Sequence, residues 1–110
     1  MVNDLINWAD NNKKEDFKDF ILFMNHIYEK KIIVNMTYIN LKLDGKLNMW
    51  KVFYNKRFLD FDFDIKLDCY KNTITLSNLT MDNFKKVTNE KFVITDCNNN
   101  MCEFKTKEGI

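Results

Sequence analysis

The chain has 110 residues, with 17 Lys or Arg against 16 Asp or Glu and a formal net charge of +1. That length supports one hydrophobic core and is too short for two, so residues 1–110 read as a single domain. The near balance of charge excludes both a strongly basic nucleic-acid clamp and a strongly acidic DNA mimic.

Ten Phe, four Tyr and two Trp beside the single Ala9 mean that the core is built from large rings. Pro is absent and Gly occurs only at Gly45 and Gly109, so no linker divides the chain. Arg57 is the one arginine, which makes bidentate phosphate recognition a poor expectation. No apolar run approaches the roughly 20 residues that span a bilayer. Asp4 and Asp10 interrupt the region where a secretory leader needs an apolar stretch, so the expected location is cytoplasmic.

Leu5, Ile6 and Ala9 suggest a short helical lead-in. From Asn12 the spacing of Phe17, Phe20, Ile21, Met24, Ile27 and Tyr28 predicts a longer helix, with Asn12 as its cap and Glu15 completing a capping box. Two β-rich runs then flank Asp44 and Gly45, a dipeptide that favours a two-residue hairpin turn. The first run is apolar on both faces, with Ile33, Ile39, Leu41 and Leu43 on one and Ile32, Val34, Met36 and Tyr38 on the other. The third run alternates: Leu59, Phe61, Phe63, Ile65 and Leu67 point one way, Asp60, Asp62, Asp64, Lys66 and Asp68 the other.

Asn72 to Leu76 supplies a fourth strand, and Thr80 with a Leu79–Phe84 staple predicts a short second helix. A last hairpin closes around residues 98–101. The fold class expected is α+β, a mostly antiparallel sheet of about six strands with a long N-terminal helix and a short second helix.

Cys97 and Cys102 have a spacing used by structural zinc sites, and a loop of residues 98–101 would set them across one hairpin. Cys69 as third ligand and His26, the only histidine, as fourth would complete a Cys₃His zinc shell, with Asp68 or Asp96 as the substitute for His26. Free buried thiols and a Cys97–Cys102 disulfide are the competing readings. Asp60, Asp62 and Asp64 lack the glycine and glutamate of a calcium loop, so they read as a solvated face or as a patch that docks on a basic protein surface. Trp50, Tyr54 and Tyr38 among Lys46, Lys51, Lys56 and Arg57 outline a single-strand stacking platform, though aromatics at strand spacing more often fill a core. No nucleophile and base stand in a recognisable activating context, so an enzyme is not expected.

In chain size, in Lys and Asn bias and in the lack of an enzyme signature, the chain resembles the anti-CRISPR proteins of low-GC Gram-positive phages that act on Cas9. Cys69, Cys97, Cys102 and His26 hint at a metal-stabilised member. The resemblance implies a stoichiometric inhibitor in the bacterial cytoplasm, with Cas9 or its guide RNA complex as partner. A charge of +1 disfavours imitation of DNA at the PAM site. Another surface, such as the recognition lobe, is the better expectation. The alternatives are an interaction module of another viral or host pathway and a single-stranded nucleic-acid-binding domain.

Overall fold

The computed structural model describes residues 2–96 and 98–106, with the side chains of residues 81–83 outside that description. Among the described residues two helices, α1 (Val2–Asn11) and α2 (Glu15–Lys30), precede six strands. The strands are β1 (Ile33–Tyr38), β2 (Leu41–Asn55), β3 (Asp60–Cys69), β4 (Asn72–Thr88), β5 (Lys91–Asp96) and β6 (Met101–Thr106). All pairings are antiparallel, and β1 meets β6 to close a barrel in sequence order. The α+β class holds, whereas several local expectations do not. No described helix is long and apolar enough to cross a membrane.

The long helix is shorter than its apolar pattern suggested. Asn12 does not cap α2; its backbone and side-chain N–H groups both donate to the Trp8 carbonyl and end α1. Lys13 turns the chain with a φ of 55°, and α2 starts at Glu15 without a side-chain cap. Glu15 and Asp16 in the first turn and Lys30 in the last complement the helix dipole. Tyr28, expected inside, is 45% exposed.

The predicted second helix is strand. Residues 79–88 belong to β4, whose ladder shifts register between Thr80 and Lys85. Leu79 and Phe84 satisfy a helical staple on paper, yet Leu79 is buried opposite Phe63, and Phe84 packs edge-on against Phe20 and tilted against Phe92. Tertiary burial has overridden the local capping signal.

Asp44 and Gly45 do not form the first hairpin turn either. The turn is at Ile39, with a φ of 55°, and Asn40, so Asp44 pairs with Asn35 and Gly45 with Val34 inside the ladder. The run that read as apolar on both faces is therefore β1 plus the start of β2. Val34 and Met36 are buried, while Ile33, Ile39 and Leu41 are largely exposed. Leu59, expected inward on β3, lies in the next turn with a φ of 56°.

One apolar cluster takes residues from both helices and all six strands. Phe20 of α2 sits at its centre, with ring centroids 5.0 to 6.2 Å from Phe84, Phe63, Phe92 and Phe104. Those partners come from β4, β3, β5 and β6, so α2 is seated against the inner faces of four strands. Trp8 of α1 packs edge-on against Phe17 and Phe61 and extends the same cluster.

Candidate functional site

The β2–β3 hairpin carries the densest group of exposed apolar side chains. Phe53, Tyr54, Phe58 and Leu59 are 48 to 68% exposed. The local sequence explains the turn: the Asn55 side-chain oxygen accepts from the backbone N–H groups of Arg57 and Phe58, at 2.9 and 3.3 Å. Arg57 stacks 5.3 Å from the Phe58 ring centroid, and Lys56 and Lys51 are exposed nearby. Tyr54 is anchored by its edge-on contact with Phe61, so the base of the hairpin is tied to the core.

The Asp60, Asp62, Asp64 stripe continues from this tip along the outer face of β3. The alternation is as expected, since Phe61, Phe63, Ile65 and Leu67 are buried between the aspartates. The stripe is not a bare solvated face: all three aspartates are half-buried. Asp62 accepts from the Asn55 side chain at 3.1 Å and Asp64 from the backbone N–H of Asn78 at 3.1 Å. Phe53 lies directly across from Asp62, and Lys51 across from Asp64. The other Asp62 oxygen, Oδ1, is buried with no hydrogen-bond partner among the described residues.

The stacking platform does not assemble. Trp50 is buried, Lys46 stands near α2, and Tyr38 turns to Asp96 at the β5–β6 end. Only Tyr54 of the three aromatics is open to solvent, and its partner across the strand pair is the core ring Phe61.

The cysteine and histidine set is spread over the barrel. Cys102 pairs with Ile94 and Tyr38, and the turn starts at Asp96, two residues before a loop of residues 98–101 would begin. The Asp96 carboxylate accepts the backbone N–H groups of Asn98 and Asn100 at 2.8 and 2.9 Å and the Tyr38 hydroxyl. Burial pushes the Asp96 carboxyl up, but these hydrogen bonds outweigh it and hold the group below its ordinary value. Burial, reinforced by the Asp96 and Glu103 charges, pushes the Cys102 thiol far up, which keeps it protonated and inert. Cys97 lies outside the described residues.

Cys69 ends β3, three strands from β6 in either direction round the barrel, so the two strands form opposite walls. The two also differ in height: Cys69 lies beside Gly45, which pairs with Val34, whereas Cys102 pairs with Tyr38, four residues along β1. At about 3.3 Å per residue that offset is roughly 13 Å, which one ion with Zn–S bonds of about 2.3 Å does not bridge. Burial and the Asp68 and Asp44 charges raise the Cys69 thiol as well. His26 is on the exposed side of α2, beside a cavity of about 250 Å³ lined by Asp19, Lys86, Asn89 and Phe92. Among the described residues no three His, Cys, Asp or Glu side chains converge on a metal position.

No protein-family model matches the chain, and neither a curated protein nor a solved structure is significantly similar to it.

Proposed function

We propose that this protein is a non-enzymatic binding module that docks on a protein partner through the β2–β3 hairpin tip and the adjoining Asp60, Asp62, Asp64 face. The observation that carries the reading is the gathering of Phe53, Tyr54, Phe58 and Leu59 in the open on one hairpin. Exposed rings beside an arginine are the composition of an interface centre, and large apolar side chains left in water cost solvation free energy in a free chain. The carboxylates next to Phe53 repel a phosphate backbone, so a protein surface suits this face better than a nucleic acid. Its mixed charge fixes the register of a docked partner rather than supplying bulk attraction.

Inhibition of Cas9 is the specific form of this proposal, and it rests on the resemblance of size and composition. Binding to the Cas9–guide complex and target cleavage are measured for the parent chain, for Phe58→Ala with Leu59→Ala, and for Asp60→Lys with Asp62→Lys and Asp64→Lys. The proposal expects inhibition by the parent, and a loss of affinity of about tenfold or more in each variant. Parental binding with both variants unaffected removes the hairpin and its face from the contact. No binding by the parent removes Cas9 and leaves an interaction module of another pathway. A salt-dependent shift with an oligonucleotide alone would instead favour single-strand binding.

A further inference from the structure

The ladder between β1 and β2 ends at Ile33 and Lys46, but β2 runs on to Asn55. Beyond Lys46, β2 is paired on one side only among the described residues, with β3. No other backbone hydrogen bond involves residues 48–55 among the described residues. The first part of this edge borders α2, since Leu47 and Asn48 share a cavity wall with Tyr28, Glu29 and Lys31. Lys51 to Asn55 lie past that wall.

This edge is unusually unguarded. Residues 47–55 contain no Pro, no acidic residue and one Lys, and they include Trp50, Val52, Phe53 and Tyr54. Sheet edges with unpaired N–H and C=O groups and such side chains are templates for another strand, and proteins normally blunt them with several charges, Pro or a bulge. The bulge present in β2 lies between Leu47 and Met49, before the open segment.

We infer that the Lys51–Asn55 edge of β2 pairs antiparallel with the same edge of a second copy of this chain. An isologous two-fold contact needs a self-complementary segment, and this one qualifies. Centred on Phe53, the pairing sets Phe53 against Phe53, Val52 against Tyr54 and Lys51 against Asn55. The lysine then never faces a lysine; Phe53 meets Phe53 on one face of the joined sheet, and Tyr54 meets Val52 on the other. The outward position of Phe53, 48% exposed in the single chain, is explained by this contact. The inference shares Phe53 and Tyr54 with the docking face but not Phe58 and Leu59, whose substitution perturbs the tip alone.

Two surface variants of the full chain test it, Phe53→Asp and Phe53→Lys, each checked for parental circular dichroism. Mass is measured by sedimentation across a concentration series for the parent, for each variant, and for their equimolar mixture. The parent is expected to pass from one chain to two, each variant to dimerise about tenfold more weakly, and the mixture to recover pairing through opposite charges at the axis. Amide exchange of Lys51 to Asn55 is expected to slow as the parent dimerises. A parent of one-chain mass at every concentration overturns the inference, as do variants that associate as well as the parent. Phe58→Ala with Leu59→Ala is expected to leave dimerisation untouched, so failure of the tip reading and failure of edge pairing are separately visible.

Discussion

Gly45 offers the sharpest test of the barrel register. A Cβ built there would lie 2.6 Å from the Asp68 carbonyl oxygen and 2.9 Å from the Cys69 Sγ. The oxygen belongs to the backbone of β3 next to β2, so it can retreat only if the ladder gives way. Overpacking of this kind costs about 1–3 kcal/mol, and about 2 kcal/mol in a domain of this size lowers the melting temperature by roughly 8 °C. Gly45→Ala is therefore expected to melt well below the parent, and Gly45→Asn lower still because it is larger. A turn glycine with positive φ would give the reverse order, since Asn tolerates that conformation better than Ala. Cys69→Ala in the Gly45→Ala background removes the Sγ contact and is expected to recover part of the loss while the Asp68 oxygen remains. Differential scanning calorimetry of the four proteins decides the matter. Asn equal to or better than Ala at position 45 refutes the paired-strand placement.

Three further predictions concern the core, the Asp96 cluster and the thiols. Phe20→Ala removes the ring at the junction of α2 with four strands and is expected to cost about 3–5 kcal/mol in urea titration, against about 0.5 kcal/mol or less for exposed Leu22→Ala. Asp96 has a folded pKa below its ordinary value of 3.8, so its contribution is present above that pH and is lost as pH falls through the folded value. Tyr38→Phe is expected to cost about 1–3 kcal/mol near pH 7, and the gap between parent and Asp96→Asn to shrink on acidification; a gap that is constant with pH refutes the ionised carboxylate. If elemental analysis finds zinc, His26→Ala and Cys69→Ser are expected to leave its stoichiometry unchanged, because neither side chain is grouped with Cys102. A loss of zinc in either variant contradicts the wall placement.

How far these features were legible depends on the range of the interaction that decides each one. The β3 alternation is a period-2 pattern on a half-buried strand, and every residue from Asp60 to Leu67 faces as its hydropathy implies. The α2 stripe is similarly local, and Phe17, Phe20, Ile21, Met24 and Ile27 are all buried. Asp44 and Gly45 misled because a close approach by β3, sixty-eight residues into the chain, is a second reason for a glycine and leaves no mark nearby. The stretch from Leu79 to Val87 misled because capping and staple signals are weak beside the burial that Phe20 and Phe92 offer Phe84. In the last hairpin the turn start is set by Asp96, whose carboxylate anchors the loop as an Asx-type turn, a local signal that a cysteine spacing does not carry.

The hairpin tip was missed for a related reason, and the reason bears on function. Leu59 reads as the start of an apolar strand, because exposure of a large side chain is the less common fate of such residues. The signal against that reading was Asn55 just before Lys56 and Arg57, an Asx turn that ends β2 and forces the next residues outward. Local chemistry thus overrides hydropathy at the tip, whereas burial overrides local chemistry at Phe84. A chain with one Ala and ten Phe has large rings to spare, and its core already encloses Phe17, Phe20, Phe63, Phe92 and Phe104. The rings left outside by a specified turn, rather than by lack of room, are those whose exposure selection for stability alone does not explain. That argument singles out the β2–β3 hairpin over the scattered exposed residues Tyr70, Ile39 and Met101 as the surface to perturb first.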